Sequence, residues 1–147
     1  MQNLISQFSP YSCALDCFAH YSRERGNQIN TEDILKTHRD ICWNNGAFHT
    51  YGAIDGGRLK ALAQRFLFSA SDFSPKDEAE IKKELDDGVG VFILASNYRG
   101  NNHCMRAVGV VGNEVEILIP AFPYGLRSNA TLSDIVNSWG GAFIKIK

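Results

Sequence analysis

Cys13 and His103 are the two residues of this 147-residue chain that best suit nucleophilic chemistry. A thiol attacks as its thiolate, and the partial positive charge at a helix N-terminus favours that form. Cys13 follows Ser12, which can cap the first predicted helix, so we expect the pKa of this thiol to be lowered. The nucleophile also needs a base, most often a histidine from elsewhere in the fold. His103, 90 residues further along at the entry to a predicted strand, is the candidate.

Gln7 is the candidate for a third requirement, the stabilisation of an oxyanion. Acyl transfer builds negative charge on a carbonyl oxygen, and hydrogen-bond donors must meet that charge. The backbone N–H of Cys13 is one such donor, because the first N–H groups of a helix have no intrahelical acceptor. The side-chain amide of Gln7, six residues earlier on a predicted loop, is the second. Cys13, His103 and Gln7 therefore form the predicted catalytic set.

Each of these residues also has a plain structural interpretation. Cys13 suits the buried face of an amphipathic helix as a small apolar residue, and His103 suits a turn before a strand. Gln7 alone carries almost no information. Cys17, one helical turn deeper than Cys13, is expected to be a core residue. Only the combination of thiol, imidazole and amide favours chemistry.

A metal site is a competing interpretation of the same helix. Cys13, Cys17 and His20 share one helical face and would need Cys42 or Cys104 to complete a zinc site. The Cys-x-x-Cys pair typical of such sites is missing, so we expect no metal, no cofactor and four reduced thiols. His20 is too distant to act as the base for Cys13, because seven residues of helix span about 10.5 Å.

Two segments resemble the papain-like cysteine peptidases. Gln7–His20 reads QFSPYSCALDCFAH, which is similar to the glutamine-then-cysteine motif of that superfamily. Asn102–Gly112 reads NHCMRAVGVVG, which resembles its histidine strand. The similarity is greatest to the small domains that cleave bacteriocin leader peptides at a double glycine on ABC exporters, and to their stand-alone relatives. It spans about residues 7–124 and implies a papain-like fold with a cysteine nucleophile, a histidine base and a glutamine in the oxyanion hole.

The chain departs from that family at three positions. Ser12 stands where aspartate is common, and Ala14 stands where glycine is common. Ile119 stands where the family places the aspartate or asparagine that orients the histidine, while strand alternation puts Glu114 and Glu116 on the opposite face. We therefore expect the imidazole to be held by a backbone carbonyl or an amide, in a Cys–His dyad, or the site to be inactive.

The elements that would position these residues divide into helices first and strands second. Helices are predicted at about 13–25, from Thr31, at 58–66, at 74–85 and at 131–138, and strands at 89–95, 104–111, 115–119 and 142–146. Gly112-Asn113 is a hairpin signal between two of the strands. The pattern predicts an α+β fold in which an N-terminal helical lobe packs on a mainly antiparallel sheet. We expect residues 1–147 to form one papain-like domain.

Composition narrows the possible partners and the compartment. The 15 basic and 16 acidic residues give a net charge of −1, which argues against a nucleic-acid partner or an anionic membrane. The N-terminus lacks the features of a signal peptide, and the longest apolar run, Val89–Ala95, is far shorter than a membrane span. We expect a protein that is cytoplasmic as synthesised, with export by a route without a cleaved signal left open.

The expected activity is hydrolysis of an amide bond in a peptide or protein substrate by a thiol peptidase. The same residues would serve a protein-glutamine deamidase of the bacterial effector or toxin type, since only the cleft differs. The residue at position 119 favours a third hypothesis, a catalytically inactive papain-like module that binds a peptide.

Overall fold

The computed structural model describes residues 4–6, 12–27, 29–44, 56–121 and 124–147, with the side chains of 42–44 outside that description. The helices are α1 (Cys13–Glu24), α2 (Thr31–Asn44), α3 (Gly56–Arg65) and α4 (Glu78–Asp86), followed late in the chain by one π-helical turn (Asp134–Ser138). The strands are β1 (Ala70–Phe73), β2 (Gly90–Tyr98), β3 (Asn101–Val111), β4 (Glu114–Ile119), β5 (Leu126–Ala130) and β6 (Gly141–Ile146).

Within these residues the six strands form one sheet in the order β1-β6-β2-β3-β4-β5, and every pairing is antiparallel. One face of the sheet, with Phe92 and Leu118, packs against α1, α2 and α3. The other face, with Ile93 and Ile117, packs against Ile81 of α4 and the π-helical turn. The predicted α+β class and the predicted antiparallel sheet under an N-terminal helical lobe are therefore confirmed.

The apolar patterns predict the central elements well and the edges poorly. The two edge strands, β1 and β5, read ASDF and LRSNA, and neither shows the alternation that predicts a strand. They form because a neighbouring strand offers backbone partners, as where β1 pairs with β6. The prediction missed both.

Helix α4 begins later than the Ser74-Pro75 signal predicts. Asp77 is its N-cap, and its side chain accepts a hydrogen bond from the Glu80 N–H at 3.0 Å. The Glu80 carboxylate in turn accepts from the Lys76 N–H at 2.6 Å. This reciprocal capping satisfies two backbone donors, so the predicted start at Ser74 is wrong.

Helix α1 is the central element of the helical layer, and its residues from Ala14 to Ser22 are buried. It ends near Gly26, as predicted, and packs across β3. No helix within the described ranges is long and apolar enough to cross a membrane.

Candidate active site

Two contacts between α1 and β3 fix how the helix lies on the strand. Near its C-terminal end, the buried Arg106 guanidinium donates to the Glu24 carboxylate at 2.9 Å and to His20 Nδ1 at 2.6 Å. About two turns before Glu24, the Cys17 thiol donates to the Cys104 carbonyl at 3.5 Å. Anchored at both points, the first turn of α1 lies against the beginning of β3.

This alignment places the Cys13 sulfur beside the peptide bond that follows His103. The N–H of Cys104 donates to Cys13 Sγ at 3.4 Å. Because the Cα of one residue and the N of the next are about 2.4 Å apart, the sulfur lies within about 6 Å of the His103 Cα. The structure therefore brings the start of α1 and the beginning of β3 together, through the backbone N–H that follows His103. That the sulfur meets the imidazole stays a prediction.

The imidazole of His103 is held by a backbone carbonyl, which is the first of the expected arrangements. Its Nε2 lies 2.8 Å from the Pro120 carbonyl oxygen. A carbonyl only accepts hydrogen bonds, so Nε2 carries the proton of the neutral ring and Nδ1 keeps its lone pair. This is the tautomer that a general base requires at Nδ1.

The Pro120 carbonyl is available because β4 ends one residue earlier. Arg106 pairs with Leu118 in the β3–β4 ladder, and the same register sets Pro120 opposite Cys104. Strand β3 therefore extends past its partner, and the ring bonds a carbonyl that lies just beyond the end of β4. Ile119 itself is buried in the core on the α4 side of the sheet.

Burial dominates the electrostatics of the thiol. It raises the pKa of Cys13 to about 12, with a further rise from the neighbouring Cys104 thiol and Asp16. The backbone N–H groups of Cys104 and Ala14 act in the opposite direction. The expected lowering of this pKa by the helix N-terminus is wrong, because desolvation of the charged form outweighs these dipoles.

Burial acts on the base as well. It lowers the pKa of His103 below its ordinary value of 6.5, and the Pro120 hydrogen bond offsets only part of that effect. At neutral pH the Cys13 thiol and the His103 imidazole are therefore both uncharged, rather than a thiolate and an imidazolium.

The hydroxyl of Ser12 has a different role from the predicted one. Ser12 occupies the N-cap position of α1 without a side-chain capping bond. It donates instead to the buried carboxylate of Asp16 at 2.7 Å. Asp16 is thereby held in the first helical turn, close enough to raise the pKa of Cys13.

Gln7 lies outside the described residues, so its role in the oxyanion hole stays a prediction. The chain just before it is described: Ser6 forms a bridge with Ala121, and the Ala121 N–H donates to Ile5 at 3.4 Å. This segment therefore runs beside the residue that follows Pro120. The side chain of Cys42 also lies outside the description.

Cys13, Cys17 and Cys104 are free thiols. Among the described side chains, no group of three histidine, cysteine or acidic residues is arranged to hold a metal ion. The sequence predicts a backbone carbonyl as one possible partner of His103 but does not identify it as that of Pro120. The ring of Tyr98, which stacks on the imidazole, was not anticipated at all.

No family model matches the chain, and no curated protein matches it in sequence. Solved structures do match. The chain is similar to the peptidase domain of Streptococcus ComA, a bi-functional ABC transporter involved in a quorum sensing pathway, with a TM-score of 0.70 and 12% identity over 99% of this chain and 98% of that one. It is also similar to a putative C39-like peptidase from Bacillus anthracis, with a TM-score of 0.69 and 17% identity over 99% and 94% of the two chains.

These similarities define the class of fold. The chain has a papain-like fold, with helices packed on an antiparallel sheet. Its helices and strands are arranged as in these two solved structures, and the expected fold is confirmed. At 12% and 17% identity the likeness concerns the fold alone.

Proposed function

We propose that the chain is a cysteine hydrolase that cleaves an amide bond of a peptide or protein substrate. The observation that carries the proposal is the contact between Cys13 Sγ and the Cys104 N–H at 3.4 Å. It sets the only half-exposed thiol among the described cysteines next to the strand position of His103. That histidine has its Nε2 fixed on the Pro120 carbonyl, which leaves Nδ1 as the ring nitrogen that can accept a proton. The peptidase fold of the solved neighbours supports the same assignment.

The first half of the reaction forms an acyl-enzyme. Nδ1 of His103 takes the proton of the Cys13 thiol while the sulfur attacks the substrate carbonyl carbon. The negative charge that develops on the carbonyl oxygen meets the N–H of Cys13 and, as predicted from the sequence, the amide of Gln7. Collapse of the intermediate breaks the C–N bond, and the imidazolium returns its proton to the departing amine.

The second half releases the acyl group. The neutral His103 takes a proton from water, whose oxygen attacks the thioester carbon. The C–S bond breaks, the acid product leaves, and the proton returns to Cys13. If the leaving group of the first half is ammonia from a glutamine side chain, the same steps describe deamidation.

The test is turnover of a library of unstructured peptides, read by mass spectrometry for both cleavage and deamidation. Wild-type protein should convert peptides, and Cys13→Ala and His103→Ala should each abolish conversion. Cys17→Ala is the matched control, since it removes a thiol that bonds the carbonyl of Cys104 instead of its N–H. Full turnover by Cys13→Ala would refute the proposal.

A second candidate function is an inactive papain-like module that binds a peptide. The raised pKa of Cys13, about 12, favours it because an unassisted thiol at that pKa is a poor nucleophile. The same library distinguishes the two functions. Peptides that bind without conversion, equally to wild-type protein and to Cys13→Ala, would identify a binding module.

A further inference from the structure

The imidazole of His103 lies on the ring of Tyr98. The two ring centroids are 5.9 Å apart, and the ring planes are inclined by 27°, which is a stacked arrangement. The torsion that turns a histidine ring is soft, with broad energy wells. The stacked neighbour therefore contributes directly to the orientation of the imidazole.

A bulge in β2 puts Tyr98 on that side of the sheet. Ala95 pairs with His103 and Tyr98 pairs with Asn101, so three steps along β2 correspond to two steps along β3. Side chains alternate between the faces of a sheet. Without the extra residue, position 98 would point to the opposite face, and the bulge redirects it towards His103.

The bulge is held by the turn that precedes β6. The Asn97 N–H donates to the Trp139 carbonyl at 2.9 Å, and the Ser96 N–H donates to the Gly140 carbonyl at 3.4 Å. Gly140 has a φ of +58°, and any side chain there would collide with the Ser96 hydroxyl. These bonds carry Ser96 and Asn97 away from the β3 ladder, and pairing with β3 resumes at Tyr98, opposite Asn101.

Two further groups hold the Tyr98 ring itself. The indole of Trp139 packs edge-on against it, with centroids 5.0 Å apart and planes at 81°. The Arg99 guanidinium lies over the ring at 5.4 Å. Arg99 and Gly100 form a two-residue hairpin turn with φ values of +51° and +84°, a geometry that matches the twist of the strands on either side.

We propose that Tyr98 is a positioning residue for His103. Its ring holds the imidazole in the plane that keeps the Nε2 proton on the Pro120 carbonyl and leaves the Nδ1 lone pair for the thiol of Cys13. It also covers one face of the imidazole against water. The effect on turnover rests on the proposed function, whereas the effect on the imidazole does not.

The test measures the ring-nitrogen NMR shifts of His103 against pH, together with kcat and KM. In Tyr98→Ala we expect mixed tautomers, a His103 pKa that moves up towards 6.5, and a fall in kcat of about 10–100-fold at similar KM. Tyr98→Phe keeps the stacked ring and should behave as wild type. Tyr98→Leu, which keeps apolar bulk without an aromatic face, serves if the alanine variant fails to fold.

Phe73→Ala is the matched structural control. It also removes an aromatic pair from this sheet, that of Phe73 with Phe143 at 6.4 Å and 80°, but far from the candidate site. It should lower the melting temperature and leave the His103 tautomer and the pH profile unchanged. A wild-type tautomer and pKa of His103 in both Tyr98→Ala and Tyr98→Leu would overturn the inference. Altered His103 shifts in a protein that never converts a peptide would uphold it while refuting the proposed hydrolase.

Discussion

His103 donates its Nε2 proton to the carbonyl of Pro120 at 2.8 Å, where a papain-like triad would present a carboxylate or an amide side chain. A carbonyl fixes the tautomer and the direction of the ring as a carboxylate does. It carries no net charge, however, and so stabilises an imidazolium less. Burial lowers the pKa of His103 and raises that of Cys13, and the bond to Pro120 offsets only part of the effect on His103. In the proposed hydrolase, proton transfer from Cys13 to His103 would therefore accompany attack.

The first prediction concerns the pH dependence of peptide conversion. The neutral form of His103 is the base, and it predominates above a pKa that lies below 6.5. We expect kcat/KM to rise with pH through that value and then to stay level, because the thiol of Cys13 keeps its proton until about pH 12. Initial rates between about pH 4 and 10 would show this. A fall in kcat/KM between pH 7 and 9 would contradict it.

The second prediction concerns the reactivity of Cys13 towards iodoacetamide. Alkylation requires the thiolate, and the pKa of about 12 leaves little thiolate at neutral pH. The rate at Cys13, assigned by peptide mapping, should increase with pH without a plateau up to about pH 10. Cys17, which is fully buried, should react more slowly still and is the internal control. Fast labelling of Cys13 that is level below pH 7 would show a preformed thiolate instead.

The third prediction concerns the anchor between α1 and β3. Arg106 is only 3% exposed, bonds Glu24 and His20, and lies over the ring of Tyr21 at 5.1 Å. Arg106→Ala leaves a cavity and a carboxylate without its partner, so we expect a loss of about 3–5 kcal/mol in the free energy of unfolding. Urea unfolding measures it. Lys145→Ala, at a more exposed ion pair with Glu84, should cost less than about 1 kcal/mol.

The sequence predicts a helix or strand well when the element's own residues stabilise it, and poorly when a strand distant in the chain does. Helix α1 and strand β2 carry their own signals, a buried stripe and an unbroken apolar run, and both are found close to the predicted bounds. Strands β1 and β5 carry no such signal in their residues, because they are stabilised by pairing with β6 and β4. A local pattern cannot report a stabilising partner that is distant in the chain.

The same distinction applies to the candidate site. Cys13 and His103 could be singled out because their residue types and surroundings suit the chemistry. Pro120 could not, since it acts through its backbone carbonyl, which every residue has. Tyr98 could not either, because an unbulged strand would have turned it away from His103, and only the pairing register reveals the bulge. The raised pKa of Cys13 depends on burial by the whole fold.

The last prediction restores a carboxylate beside the histidine. Ile119 packs with Met105 in the core on the α4 side of the sheet, and it directly precedes Pro120, whose carbonyl accepts from His103. In Ile119→Asp the new carboxylate should stabilise the imidazolium, raise the pKa of His103 and speed the alkylation of Cys13 at neutral pH. Burial of the charge should lower the free energy of unfolding by about 2–5 kcal/mol.

Ile119→Asn is the control for this change, because it has the same size as the aspartate variant and no charge. It should also lose stability, because a polar amide replaces the buried isoleucine, and it should leave the alkylation rate of Cys13 near that of the wild type. If the aspartate and asparagine variants folded equally well and alkylated at the same rate, position 119 would not face the imidazole. His103 would then donate to the Pro120 carbonyl regardless of which side chain stands at position 119.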